Sequence, residues 1–123
     1  MRGDEIDRAA MQRTFDLIPK QVGEGHRWMF WGCDFPMMAM TATRLGKPEA
    51  ALDALLADHP NNVVLANGFN TASPMPYLPG TGGLLWATAM MAAGWEGCPE
   101  RHAPGFPDDG SWVVKWKGLK KSQ

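Results

Sequence analysis

The sequence predicts an all-α fold of antiparallel helical hairpins joined by long loops, and three observations carry that expectation. Apolar residues recur at helical spacing in four segments, Gly and Pro punctuate the segment ends, and strict alternation is confined to one short stretch near residue 115. The 123 residues suit one domain, 1–123, and the 45 % hydrophobic composition argues against a disordered chain. An excess of 14 Gly, 10 Pro, 9 Met and 6 Trp over a single Tyr describes turns around packed, Trp-bearing helices.

The first helix is expected from about Glu5 to Ile18, capped by Asp4, with Asp7 reaching back from the third position and Pro19 closing it. Ile6, Ala9, Ala10, Leu17 and the offset Phe15 and Ile18 give it a modest apolar stripe. A glycine-bounded loop, QVGEGHRWMFWGCDFP, follows. The second helix spans about Phe35 to Leu45, with Asp34 as N-cap, Pro36 in the first turn and Gly46 as the stop. Pro48 and Glu49 start the third, which buries Ala51, Leu52, Leu55 and Leu56 and ends near Ala57.

His59 to Gly83 then reads as one long loop, and connections beyond about 12–15 residues usually line a site, wrap a partner or stay disordered. The last helix is expected from Leu84 to Ala93, apolar nearly all round and therefore buried, with Trp86 in the core. The methionines at 37, 38, 40, 90 and 91 suit pliable helix contacts. SWVVKW, from Ser111, is either a short strand or an extended arm with Trp112 and Trp116 on one side.

Charge excludes several partners. Twelve Lys and Arg against 13 Asp and Glu leave a net −1, so no global field favours nucleic acid or an acidic membrane. Lys115, Lys117, Lys120 and Lys121 read as a solvated basic end. No apolar run is long enough to span a bilayer, the N-terminal residues lack a signal-peptide pattern, and two cysteines are too few for a bridged secreted domain, so a cytoplasmic location is expected. Cys33, Cys98, His26, His59 and His102 follow no zinc-ligand spacing, and no metal or cofactor is expected.

The residues that could carry chemistry lie in loops. Asp34 is either a helix cap or a carboxylate at a cleft edge. Glu24 and His26, beside Trp28 and Trp31, are either surface loop residues or an acid, a base and sugar-directed hydrogen-bonding groups. Trp31 is the better stacking surface because it sits outside a helix. Asn61, Asn62, Asn67 and Asn70 either close turns or grip hydroxyls. PGTGG, from Pro79 to Gly83, lacks a Walker lysine and a preceding strand, which favours a close-packed helix entry over a phosphate loop.

The ordered segments WGCDFPMMAMTATRLGKPEAALDALL, LANGFN, YLPGTGGLLWATAMMAAGW and PGFPDDGSW resemble the C-terminal part of six-hairpin glycoside hydrolases with an (α/α)6 barrel, akin to bacterial alpha-fucosidase-like and maltose-phosphorylase-like groups. The resemblance covers residues 12 to 119 and implies a partial barrel whose loops line a sugar site. It matches Trp31, Gly32, Cys33 and Asp34 to a Trp-Gly-Trp-Asp loop, and Asn67, Gly68, Phe69 and Asn70 to an Asn-Gly-His-Asn stretch. Cys33 replaces an aromatic, Phe69 a histidine and Thr81 an asparagine, and the glycine-rich turn lacks the family's aspartate base.

The resemblance thus places Asp34 as a catalytic carboxylate and Trp31, Asn67, Asn70 and Thr81 as substrate-binding residues, and the glycine-bounded loop adds Glu24 as the other candidate carboxylate and His26 and Trp28 as further candidate sugar contacts. The function it implies is a carbohydrate-active helical fragment, catalytically incomplete alone, that binds a saccharide and needs self-association or a second chain to cover its helical faces. The alternative is a non-catalytic helical protein-interaction module.

Overall fold

A computed structural model describes residues 7–23 and 30–122. Among the described residues four α-helices follow in order: α1 (Arg8–Gly23), α2 (Asp34–Arg44), α3 (Pro48–Leu55) and α4 (Leu78–Ala93). Among the described residues there is no sheet, only the isolated bridges Val64 to Asn70 and Trp95 to Ser122. The all-α expectation therefore holds for the described residues. None of the described helices is long and apolar enough to cross a membrane.

Helix α2 occupies the centre, packing against α3, α4 and, more lightly, α1. The reason is its small residues. Ala39 and Ala42 are fully buried and meet Ala51, Leu52, Ala87, Met91 and Phe15, so the helices approach closely over methyl groups instead of long side chains. Met38 and Met40 fill the margins of this core, whereas Met37 points outward and is exposed.

The turn between α2 and α3 forms as the sequence predicts. Gly46 adopts φ +79°, its N–H donates to the Thr43 carbonyl, and the Lys47 N–H donates to the Ala42 carbonyl. This pair of bonds is the Schellman motif, and it satisfies α2 carbonyls that would otherwise be orphaned. Pro48 then starts α3 at once, where its missing N–H costs nothing. Asn62 closes the other end of α3 by donating its amide to the carbonyls of Leu55 and Ala57.

Helix α1 departs from expectation at both ends. Asp7 is itself the cap, its Oδ1 accepting the Ala10 N–H at 2.9 Å, while Asp4 and Glu5 lie outside the described residues. The helix also runs past Pro19 to Gly23. A proline removes one intrahelical bond, to the Phe15 carbonyl, yet Phe15 is buried in the core and Ile18 packs beside it, so packing outweighs the local breaker. Lys47 ties α1 to the turn after α2 through Asp16 at 2.8 Å and lies 5.5 Å from the Phe15 ring centroid.

Helix α4 begins at Leu78, well before the expected Leu84, and takes PGTGG into its first turns. Close packing explains Gly80 and Gly83 there. A methyl built on Gly83 would stand 2.7 Å from Pro36 Cγ on α2, and one on Gly80 would stand 2.9 Å from Asn70 Cγ. The expectation of a wholly buried last helix is also corrected. Its C-terminal half, Met90 to Ala93, is buried, but Leu78, Leu85 and Trp86 are 62 %, 66 % and 61 % exposed. Trp86 is a surface residue because an all-round apolar helix with neighbours on one side must leave the other side bare.

Beyond α4 the chain forms an extended arm, and SWVVKW makes no strand. Trp112 packs on Phe106 and Trp116 stacks on His102, whose Nε2 lies 2.7 Å from the Val114 carbonyl. The arm returns to α4: the Ser122 N–H donates to the Gly94 carbonyl and the Ser122 carbonyl accepts the Glu96 N–H.

Candidate functional site

The start of α2, the loop before it and the start of α4 meet at one end of the helical layer. Asp34, in the first turn of α2, turns its carboxylate backwards: Oδ2 accepts the Trp31 N–H at 2.8 Å, while the Asp34 N–H donates to the Trp31 carbonyl at 3.0 Å. The expected N-cap role thus becomes a reach-back, since Cys33 holds the cap position and makes no side-chain cap bond.

Trp31 is 55 % exposed, and its ring lies 6.1 Å from that of Tyr77, the residue preceding α4, at a tilt of 31°. Tyr77 joins the two elements a second way. Its hydroxyl lies 3.3 Å from Cys33 Sγ. That hydrogen bond, then partial desolvation, then negative charge at Cys33 and at Asp34 hold the phenol above its ordinary pKa. Cys33 Sγ in turn lies 3.9 Å from Asp34 Oδ1, a long sulfur contact. Trp31, Cys33, Asp34 and Tyr77 therefore form one rim with an exposed aromatic face and a carboxylate beside it.

The asparagines build the floor. Asn70 is 1 % exposed, and its side chain accepts the Ala72 N–H at 2.9 Å and donates to the Asn61 carbonyl at 3.2 Å. Its backbone N–H donates to Thr81 Oγ1 and its carbonyl accepts the Tyr77 N–H. Thr81 also donates to the Gly68 carbonyl, and Asn61 donates to that of Phe30. Gly32 must be glycine against this latch, because a methyl there would lie 2.6 Å from Asn70 Oδ1. Asn67 stays outside the latch, exposed, closing an Asx turn to the Phe69 N–H. Below lie Phe35 and the buried His59, with ring centroids 5.1 Å apart.

The structure thus brings together Trp31, Asp34, Asn70 and Thr81 and leaves Asn67 at the periphery. Glu24, His26 and Trp28 lie outside the described residues. Tyr77 and the latching role of Asn61 were not singled out from sequence. The signal for Tyr77 was its isolation, the one tyrosine of the chain, set directly before a Leu-Pro helix start.

A cleft of about 730 Å³ lies elsewhere, around the other end of α2. The first turns of α1, the Schellman turn and the segment after α4 line it, and no residue of the Trp31–Asp34 rim does. Among the described residues, no three His, Cys, Asp or Glu side chains converge as metal ligands, and both cysteines are free thiols. In comparisons with known proteins, no family model, no curated protein and no solved structure matches this chain.

Proposed function

We propose that the chain is a carbohydrate-active, glycoside-hydrolase-like helical element, part of an (α/α)6-type barrel wall, that contributes one edge of a sugar-binding cleft and is catalytically incomplete alone. The observation that carries this reading is the exposed Trp31 ring, tilted on Tyr77, with the Asp34 carboxylate at its base. An indole offers a broad apolar face for the C–H side of a sugar ring, and a carboxylate accepts hydrogen bonds from its hydroxyls. Glycosidic cleavage takes a pair of carboxylates about 5–9.5 Å apart. On this reading Asp34 or Glu24 supplies one, and self-association or a second chain supplies the missing carboxylate.

The test is binding before turnover. Titration with L-fucose, maltose and longer neutral oligosaccharides, followed by saturation-transfer NMR and calorimetry, gives saturable binding of at least one sugar on this reading. Trp31→Ala then weakens it about tenfold, the loss of one aromatic contact of about 1.4 kcal/mol. Absence of binding across the panel, or an affinity unchanged in Trp31→Ala, overturns it.

One observation favours a second reading, a non-catalytic interaction module. Leu78, Leu85 and Trp86 lie on α4 as an outward apolar patch, at positions related by two helical turns. On this reading the Leu85→Ser/Trp86→Ser pair abolishes association, measured by sedimentation velocity, without lowering the melting temperature. Unaltered sedimentation counts against it.

A further inference from the structure

Helix α4 carries an outward seam that its own chain leaves uncovered. Leu78, Gly82, Leu85 and Ala89 recur at spacings of four, three and four, the period at which two helices keep one face in contact, and the exposed Trp86 flanks them. None of the 16 residues of α4 is charged. Thr81 gives its hydroxyl proton to the Gly68 carbonyl, and Thr88 gives its own to carbonyls of α4. A helix laid on this face therefore meets no charged side chain of α4 and no hydroxyl left unbonded.

Gly82 is a second observation. Gly80 and Gly83 are held to glycine by Asn70 and Pro36, but nothing of the chain lies within 4 Å of a methyl built on Gly82. Glycine inside a helix is destabilising relative to alanine, and no neighbour in the chain requires this one. It leaves a hollow in the seam between Leu78 and Leu85.

The seam fits itself when reversed. Two antiparallel copies of α4 about a two-fold axis set Leu85 of each over Gly82 of the other, and Leu78 over Ala89, a large side chain against a small one in every layer. The two pairs share one midpoint along the helix, so a single axis serves both. A parallel pair would instead set each residue against its own copy and leave the hollow at Gly82 empty. Leu78, Leu85 and Trp86 expose roughly 400 Å², and with Pro79, Gly82 and Ala89 two copies bury about 1,000 Å² in all, the lower limit of a specific contact.

We propose that α4 is the contact face of a weak two-fold homodimer, paired antiparallel with α4 of a second copy of this chain. The proposal rests on the second reading above, that this face binds protein, and it names the partner.

The test is sedimentation equilibrium of the full chain over rising concentration, which gives a monomer–dimer equilibrium with a Kd of roughly 10–100 µM. Leu85→Ala removes the large side chain and Gly82→Leu fills the hollow, and each raises the Kd about tenfold or more. Both positions face solvent in the single chain, so melts of the dilute, monomeric variants do not fall below that of the parent. The double variant Gly82→Leu/Leu85→Ala exchanges large and small across the axis and returns the Kd to within about threefold of the parent. Val113→Ser, on the exposed arm, leaves it unchanged. A chain that stays monomeric to about 1 mM overturns the homodimer and leaves the second reading to a different protein partner. A dimer indifferent to both single changes overturns the homodimer face and that reading together. A double variant no tighter than the single ones overturns the antiparallel pairing, and with it the proposal.

Discussion

Asp34 and Trp31 hold each other from both sides: the Asp34 carboxylate accepts the Trp31 N–H at 2.8 Å, and the Asp34 N–H donates to the Trp31 carbonyl at 3.0 Å. The pair fixes how the chain enters α2 and so where the indole stands. Asp34→Ala removes the side-chain half and is expected to cost about 0.5–2 kcal/mol in chemical denaturation, the usual worth of a helix-start side chain. Asp34→Asn retains an acceptor and should recover most of that loss. If the two variants are equally unstable, the carboxylate contributes through charge and not through this bond.

The single tyrosine gives the rim its own titration signal. Absorbance near 295 nm reports Tyr77 ionisation alone, and its midpoint is expected above the ordinary phenol value of about 10. Cys33→Ala deletes the foremost cause and should bring the midpoint down. Because the folded pKa is raised, the neutral phenol is favoured by folding. The stabilisation is therefore complete below the unfolded pKa and is lost as pH rises through the folded one.

Glycines at two positions should respond oppositely to the same methyl. A Cβ at Gly105 would lie 2.5 Å from Met91 Cα, where the segment after α4 donates its Gly105 N–H to the Met91 carbonyl. Gly105→Ala is expected to destabilise by about 1–3 kcal/mol or more, since backbone must move. Gly82, inside α4, has nothing within 4 Å of such a methyl. Gly82→Ala should stabilise by about 0.5–1 kcal/mol through helix propensity. Thermal and urea melts of the two proteins decide both signs.

Asn70 and Asn67 separate a latch from a turn. Asn70→Ala strands the buried Ala72 N–H and the Asn61 carbonyl, at about 1–3 kcal/mol for each group left unpaired. Asn67→Ala removes one exposed Asx bond and should cost less than about 1 kcal/mol. A saccharide titration of Asn67→Ala then tests its assignment as a sugar contact without the complication of unfolding.

What sequence reasoning could see was local. Gly46 followed by Lys47 and Pro48 marks the end of α2 and the start of α3 by backbone preferences that no neighbour overrides. The start of α4 was hidden because PGTGG reads as a breaker. Gly80 and Gly83 answer to Asn70 and Pro36, residues whose proximity no periodicity reveals. Pro19 misled in the same way, since the packing around Phe15 outweighed a local signal. At the rim, Trp31 and Asp34 were legible as loop chemistry next to a helix start. Tyr77 was not, because its contact with Cys33 spans 44 positions and exists only once the long loop is folded.

The return of Ser122 to Gly94 and Glu96 closes the chain after α4 into a ring whose ends are joined by backbone hydrogen bonds. Opening the closure breaks those bonds, while Gly105 and Phe106, inside the ring, stay packed on Met91 and the Ala39–Ala42 core. The exposed end of the chain, from Trp112 to Ser122, can thus detach while the helices and residues 103–106 stay native. In native-state hydrogen exchange the amides of Glu96 and Ser122 should fall together, at a lower free energy than those of Ala42 and Met91. The closure entropy of such a ring grows only slowly with its length, so residues inserted near Gly110 would leave that opening energy almost unchanged.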